Sequence, residues 1–576
     1  MVNLQSSVNN HQSLIGYIVG GGLKESFRVR LTVPAQSVQE GGFVVIESGD
    51  WQFYGLVTDL QLGATDPRFA DEQTESRLPP DLAGLLHGQT LFTNLEVLPA
   101  LMLERGPEPG TPEYLEWTNK IGENKPRPVP VKTVPPHHAP VRMAGEGDIA
   151  EIFGKEGEEG SFIIGYTREQ GHPVCINLDK FVLRSAGVFG ATGTGKSFLT
   201  RIVLAGLMHK DTASVLVFDM HNEYGFNDKA SDTGMPVIGL KGKFHGKVCV
   251  VGLGGGARIR NNTPDFNLEI AMSDIQPEDI ELLTRELNLK ETTPTTLEAL
   301  VSTFGAKWFS AFRTMVNGAV IEDPESGKKI PAPDSVAFWA RQAGINEMAA
   351  EGLHSKLGRL FNKPYILEKP AADSVGEIIK TLEAGRHVIL SFAKFETDLD
   401  YLLVSNLLTR KLREAWERRT NSYRSSGVDE PRQLVIVLEE AHKLLNREMA
   451  GQTTFSTIAR EMRKYYVTLL IVDQRPSQIY DEVMSQLGTR ISGWLGDDDD
   501  IHAVLSGLAG REALRGMLAR LQPKEEVLLL GWGVPMPLPV RSRRYDDEFW
   551  KELQGGKTKR SAIQNMEELG FDTGTG

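Results

Sequence analysis

The stretch Phe189–Phe198, FGATGTGKSF, sets Gly190, Gly195, Lys196 and Ser197 at the spacing G-x-x-x-x-G-K-S. An apolar run, AGVFG, leads into it, and FLTRIVLAGLMHK follows with helical character. A turn in that position surrounds phosphate oxygens with backbone N–H groups and sets the positive end of a helix against their charge. Gly190, Gly193 and Gly195 allow the backbone to approach closely, and Ala191, Thr192 and Thr194 complete the loop. Lys196 is placed to reach the β- and γ-phosphates and the Ser197 hydroxyl to ligate Mg²⁺, so ATP and Mg²⁺ are the expected cofactors. Such a loop works only between a strand and a helix, which commits this part of the chain to an α/β fold.

The rest of the chain agrees with that constraint. SVLVFD, HVILSF, LVIVLEE, VTLLIVDQ and EVLLLGWG alternate with helical stretches, the pattern of a parallel sheet covered by helices. A length of 576 residues exceeds one hydrophobic core. Residues 1–105 carry short alternating runs such as FRVRLTVP and WQFYGLVTDLQLG between Gly and Pro, which predicts an N-terminal β-barrel. Residues 106–140 hold nine prolines and read as an extended connector without regular structure. The α/β core is expected over 141–266 and 363–545, interrupted at 267–362 by a helical insertion. The polar, glycine-rich end, 546–576, reads as a tail or brace.

Composition excludes several classes. Only Cys175 and Cys249 occur, far apart in sequence, so both are expected as reduced core residues without disulfide or zinc. No run approaches the roughly 18 apolar residues of a membrane span, which predicts a cytoplasmic protein without membrane contact. The net charge of −13 argues against a surface coated for nucleic acid, though not against a basic channel.

A phosphate loop needs an acidic strand end beside it. LVIVLEEAH supplies Glu439, expected toward the metal, and Glu440, expected to accept a proton from the attacking water or orient it. Many such proteins carry Asp at the first acidic position, so Glu439 departs from the common pattern. VTLLIVDQRPS ends in Asp473 and Gln474, and a polar side chain there can sense the γ-phosphate.

Taken in order, LRSAGVFGATGTGKS, VFDMHNEYG, VIVLEEAHKLL, IAREMRKYYVTLLIVDQRPS and EEVLLLGWGVPMPLPVRSR resemble the HerA branch of the HerA/FtsK motor ATPases. The resemblance spans the chain. It implies a RecA-like P-loop ATPase core with a small N-terminal β-barrel and a helical insertion. It also implies an ATP-driven DNA translocase or helicase that forms a homo-hexamer around duplex DNA. Family members often work beside a partner nuclease or a sirtuin-like effector, some in anti-phage defence. An alternative is a ring-shaped ATP-binding scaffold that recruits and regulates an effector enzyme, with DNA movement secondary.

A ring motor takes a positive charge for the γ-phosphate from a neighbouring subunit. The resemblance nominates Arg184, twelve residues before Lys196, and Arg460 and Arg463, which share a helix face at i and i+3. FDMHNEYG is similar to a family segment reading Asp-Pro-His-Gly-Glu-Tyr, with Met220 and Asn222 departing from it; Asp219 and Glu223 are expected behind the metal. Loops at the ring axis nominate Arg447 and Gln452 to Thr454 for contact with DNA phosphates.

Overall fold

The structure is a computed structural model that describes residues 14–65, 91–107, 110–121, 126–229, 234, 236–322, 328–449 and 453–553. Six antiparallel strands, Leu14–Gly20, Phe27–Leu31, Phe43–Ser48, Trp51–Ala64, Leu91–Glu104 and Pro140–Met143, form a closed N-terminal barrel. Closure comes from pairing of Phe27–Leu31 with Leu91–Glu104. In FRVRL the alternation sends Phe27, Val29 and Leu31 inward and the two arginines outward. Inside, these side chains meet Ile15, Ile18, Phe53, Val97 and Val141 in a core of their own.

Two expectations need correction here. The barrel does not end at residue 105, because its sixth strand is Pro140–Met143, which pairs with both Leu14–Gly20 and Phe43–Ser48. The proline-rich segment is also not without regular structure: Pro112–Ile121 is a helix. Its prolines lie at the ends of the segment, and the run from Glu113 to Lys125 has none. Pro112 starts the helix, where a missing N–H costs nothing. Trp117 fixes it by donating to Glu104 at 3.1 Å.

The core is one twelve-stranded sheet. Eight parallel strands run in the order Phe266–Leu268, Val248–Leu253, His387–Ser391, Ser214–Asp219, Leu434–Glu439, Val467–Asp473, Ala186–Phe189 and Thr489–Ser492. Four antiparallel strands extend it: Glu526–Gly531, Leu538–Ser542, Ser161–Thr167 and Pro173–Asn177. The central strands are buried along their length, which explains why their sequences are unbroken apolar runs. Cys175 and Cys249 are buried and free.

Between the two parts of the core, the helices Pro277–Glu281, Thr293–Phe304, Trp308–Thr314, Val336–Gln342 and Glu347–Phe361 pack around Trp308, Phe309 and Phe312. A short hairpin, Val320–Glu322 with Lys329–Pro331, interrupts them. This segment is tied to the long core helix Asp398–Ser426 by Arg410, 2.6 Å from the buried Asp279, and by Lys411, 2.8 Å from Asp274. The barrel meets the core through Arg520, which donates to Glu40 at 2.7 Å.

Candidate active site

Parallel register brings the predicted residues to one edge. Phe189 pairs with Asp473, Glu439 with Val472, and Phe218 with Leu438, so the carboxyl ends of four strands lie side by side. Ligands of open α/β sheets bind outside such an edge. The strand beside the phosphate loop is Val467–Asp473, not the acidic strand expected there; Leu434–Glu439 stands one place further out. Gln474 fills the interval.

Gly193 and Gly195 have φ of 77° and 89°, the left-handed region where a Cβ is costly. Gly195 opens the helix Lys196–Lys210. The loop is held from outside its own turn: Ala191 N–H donates to the Trp494 carbonyl at 3.0 Å, and Lys524 N–H to the Thr194 carbonyl at 3.2 Å. Thr194 Oγ1 donates to the Ala191 carbonyl at 2.7 Å. Lys196 Nζ lies 3.7 Å from Glu440 Oε1.

Gln474 joins the loop to the acidic pair. Its Nε2 donates to Glu440 Oε1 at 2.8 Å, and its Oε1 accepts from the Thr192 hydroxyl. Glu440 itself has φ of 46°, which costs a side-chain-bearing residue about 1–2 kcal/mol. Strain at such a residue persists only where its surroundings hold it. Here Gln474, Lys196 and His442, 3.7 Å from Oε2, do so. His442 in turn is set by Asp473, whose carboxylate accepts its main-chain N–H at 2.7 Å and faces its Nδ1 at 3.0 Å. Burial pushes the Asp473 carboxyl up, but the bonds from His442 and from Arg475 N–H outweigh it and hold it below the ordinary carboxylate range. The same bond raises the His442 imidazole.

Glu439 is buried, and burial, reinforced by the charges of Asp219 and Glu223, pushes its carboxyl up to about 8. Tyr224 donates its hydroxyl to Oε1 at 2.6 Å, and Tyr401 donates to the main-chain carbonyl at 2.7 Å. Oε2 is buried and has no partner. A lone buried carboxylate oxygen two strands along the same sheet edge from the phosphate loop fits a Mg²⁺ held by one carboxylate, one hydroxyl and substrate phosphates. Behind it Asp219, pushed up to about 6 by burial, accepts the N–H groups of Glu223 and Tyr224 at 2.7 and 3.0 Å. The buried Arg201 donates to the Glu223 carbonyl at 2.7 Å and offsets the acidic charge. Asn222 has φ of 56°, a conformation asparagine tolerates better than most residues.

Residues 162–412 match the family model described as Helicase HerA, central domain. The chain is a P-loop ATPase whose central part is similar to HerA. It is similar along 93% of its length to the DNA double-strand break repair helicase HerA of Sulfurisphaera tokodaii, with 23% identity over 94% of that protein. The protein of the same description from Sulfolobus acidocaldarius is 22% identical over 93% of this chain and 94% of the relative. That from Pyrococcus furiosus is 22% identical over 73% and 76%. Among solved structures, VirB4 of Thermoanaerobacter pseudethanolicus has a TM-score of 0.42 at 14% identity, over 69% of this chain and 99% of that one.

The site gathers Lys196, Glu439, Glu440 and Gln474, but not the three nominated arginines. Arg184 precedes the strand Ala186–Phe189, at the end opposite the phosphate loop, and its guanidinium stacks on Trp532 at 4.4 Å. Arg463 is exposed at the turn before Val467–Asp473, whose seven residues put about 20 Å between it and Gln474. Arg460 lies 3.4 Å from Glu482.

Of the residues nominated for DNA, Arg447 is 82% exposed. Gln452 lies outside the described residues. Thr453 must be corrected: it is buried, 3.4 Å from the Ser456 hydroxyl, at the start of the helix Thr454–Glu461. Sequence reasoning missed His442, Tyr401 and Arg201, whose partners lie on other elements of the fold; only the histidine of LEEAH, beside the acidic pair, carried a local signal. No helix among the described residues is long and apolar enough to cross a membrane.

Proposed function

We propose that the chain is an ATP-driven DNA translocase or helicase, acting as a hexameric ring on duplex DNA. The observation that carries this reading is the meeting of Lys196, Glu439, Glu440 and Gln474 at one sheet edge, the groups a hydrolytic motor needs. Lys196 and the loop N–H groups hold the β- and γ-phosphates. Ser197 and Glu439 would hold Mg²⁺, which when bound neutralises charge on the phosphate oxygens. Glu440 accepts a proton from the water that attacks the γ-phosphorus, while the bond to the bridging oxygen breaks and ADP leaves. Gln474, bonded to Glu440 and to the loop, carries the state of the γ-phosphate into the strand Val467–Asp473.

The reading of DNA as substrate is supported by the relatives described as DNA double-strand break repair helicases. The exposed position of Arg463 favours completion of each site by a neighbouring copy. A partner nuclease or sirtuin-like effector, in repair or anti-phage defence, belongs to the same proposal through the HerA resemblance. The test is the ATPase rate of assembled protein with and without duplex. Stimulation that weakens steeply with salt is expected, since phosphate contacts release counterions. Absence of stimulation, with or without an effector, would favour the scaffold reading.

A further inference from the structure

Glu439 has one more methylene than the aspartate common at this strand end, and a longer carboxylate has more freedom to swing. In this chain the freedom is removed from two sides. The Tyr401 hydroxyl fixes the main-chain carbonyl of Glu439, and the Tyr224 hydroxyl takes Oε1 at 2.6 Å. Tyr224 is fully buried and is itself placed by its N–H bond to Asp219, on the strand paired with Leu434–Glu439. One carboxylate oxygen is therefore spent on the protein. The other, Oε2, is buried and unpartnered. An orphan of that kind costs free energy unless a ligand completes it.

We propose that Tyr224 is a positioning residue for Mg²⁺, its hydroxyl holding Oε1 of Glu439 so that Oε2 alone is presented to the metal. This rests on the reading of Glu439 as a Mg²⁺ group. Residues that orient a metal ligand cost about 10–100-fold in metal affinity when removed.

The test uses the full chain with ADP and with Mn²⁺ as a spectroscopic substitute, its binding to the ADP-loaded protein followed by electron paramagnetic resonance. Tyr224→Phe removes only the hydroxyl. It is expected to leave metal-free ADP affinity unchanged and to weaken ADP-dependent Mn²⁺ binding at least tenfold. In the Glu439→Gln background the same change should have no further effect. If Tyr224→Phe fails to fold, Glu439→Asp, too short to reach the hydroxyl, should show the same loss of Mn²⁺. Wild-type Mn²⁺ affinity in Tyr224→Phe, or in Glu439→Asp where that variant stands in, overturns the proposal, as does an undiminished effect of Tyr224→Phe in the Glu439→Gln background. Wild-type Mn²⁺ affinity in Glu439→Gln instead overturns the metal reading of Glu439 itself.

Discussion

The two ends of the parallel sheet are built differently. At the carboxyl end, charged and polar side chains are tied to one another within the chain: Gln474 to Glu440 and Thr192, His442 to Asp473, Tyr224 to Glu439. At the amino end, Arg184 lies over the half-exposed Trp532 and Arg463 faces solvent, while His387 is buried with neither ring nitrogen bonded. The first arrangement is a preorganised site and needs little rearrangement to receive nucleotide. The second carries cations that its own site cannot use. The contrast predicts that a second copy supplies the other face of the ATPase site.

The largest expected effect falls on the tied end. Glu440→Gln keeps the hydrogen-bonding shape but removes the proton acceptor, so turnover should drop by roughly 10³-fold or more while nucleotide still binds. A steady-state rate near wild type would remove Glu440 from the chemistry. Next comes the open end. Changing Arg460 and Arg463 together to Ala should slow hydrolysis by about 10³-fold if one of them completes a neighbour's site. Mixed rings of that variant with Glu440→Gln should recover activity, because some interfaces then hold an intact glutamate and intact arginines. No recovery in verified mixed rings would place both arginines outside the neighbour's site and leave Arg184 as the remaining choice. A smaller effect is expected of Lys196→Ala. Loss of one charge-assisted contact should weaken ATP binding by about 10–100-fold, read by titration calorimetry.

How much of this was legible follows from where each signal lies. The phosphate loop, the acidic pair and Gln474 are local: each follows an apolar run, and parallel pairing then brings their ends together. The strand order is not local, so the position of Val467–Asp473 between loop and acidic strand had to come from the structure. Thr489–Ser492, TRIS, shows why some strands escape notice. Its polar residues are buried because Thr489 accepts Gly533 N–H at 2.9 Å and Arg490 donates to the Met484 and Ser506 carbonyls at 2.8 and 2.7 Å. Those partners lie up to 44 residues away and leave no periodicity to read. The helix Pro112–Ile121 was hidden for the opposite reason, since prolines counted across the whole segment masked a run without any.

The smallest predicted effect probes the untied end through acid stability. His387 opens the strand His387–Ser391 and is fully buried, and burial lowers its imidazole to about 4, with Arg432 and Lys247 adding to the lowering and Asp211 opposing it. Above the ordinary value of 6.5, folded and unfolded chains both carry it neutral, so it contributes no pH dependence. Between 6.5 and about 4 the unfolded chain binds a proton that the folded chain refuses, so stability falls as pH falls. The total is of order 3 kcal/mol, since each tenfold difference in proton affinity between the two states is worth about 1.4 kcal/mol, and the curve flattens below. His387→Leu is close in size, removes two unbonded buried nitrogens and should be at least as stable at pH 7. It should also lose this slope, so that its melting temperature exceeds that of the parent by a few degrees more at pH 5 than at pH 7. Equal pH dependence in the two proteins would mean that His387 titrates normally, and that the amino end of the sheet is as well satisfied as the catalytic one.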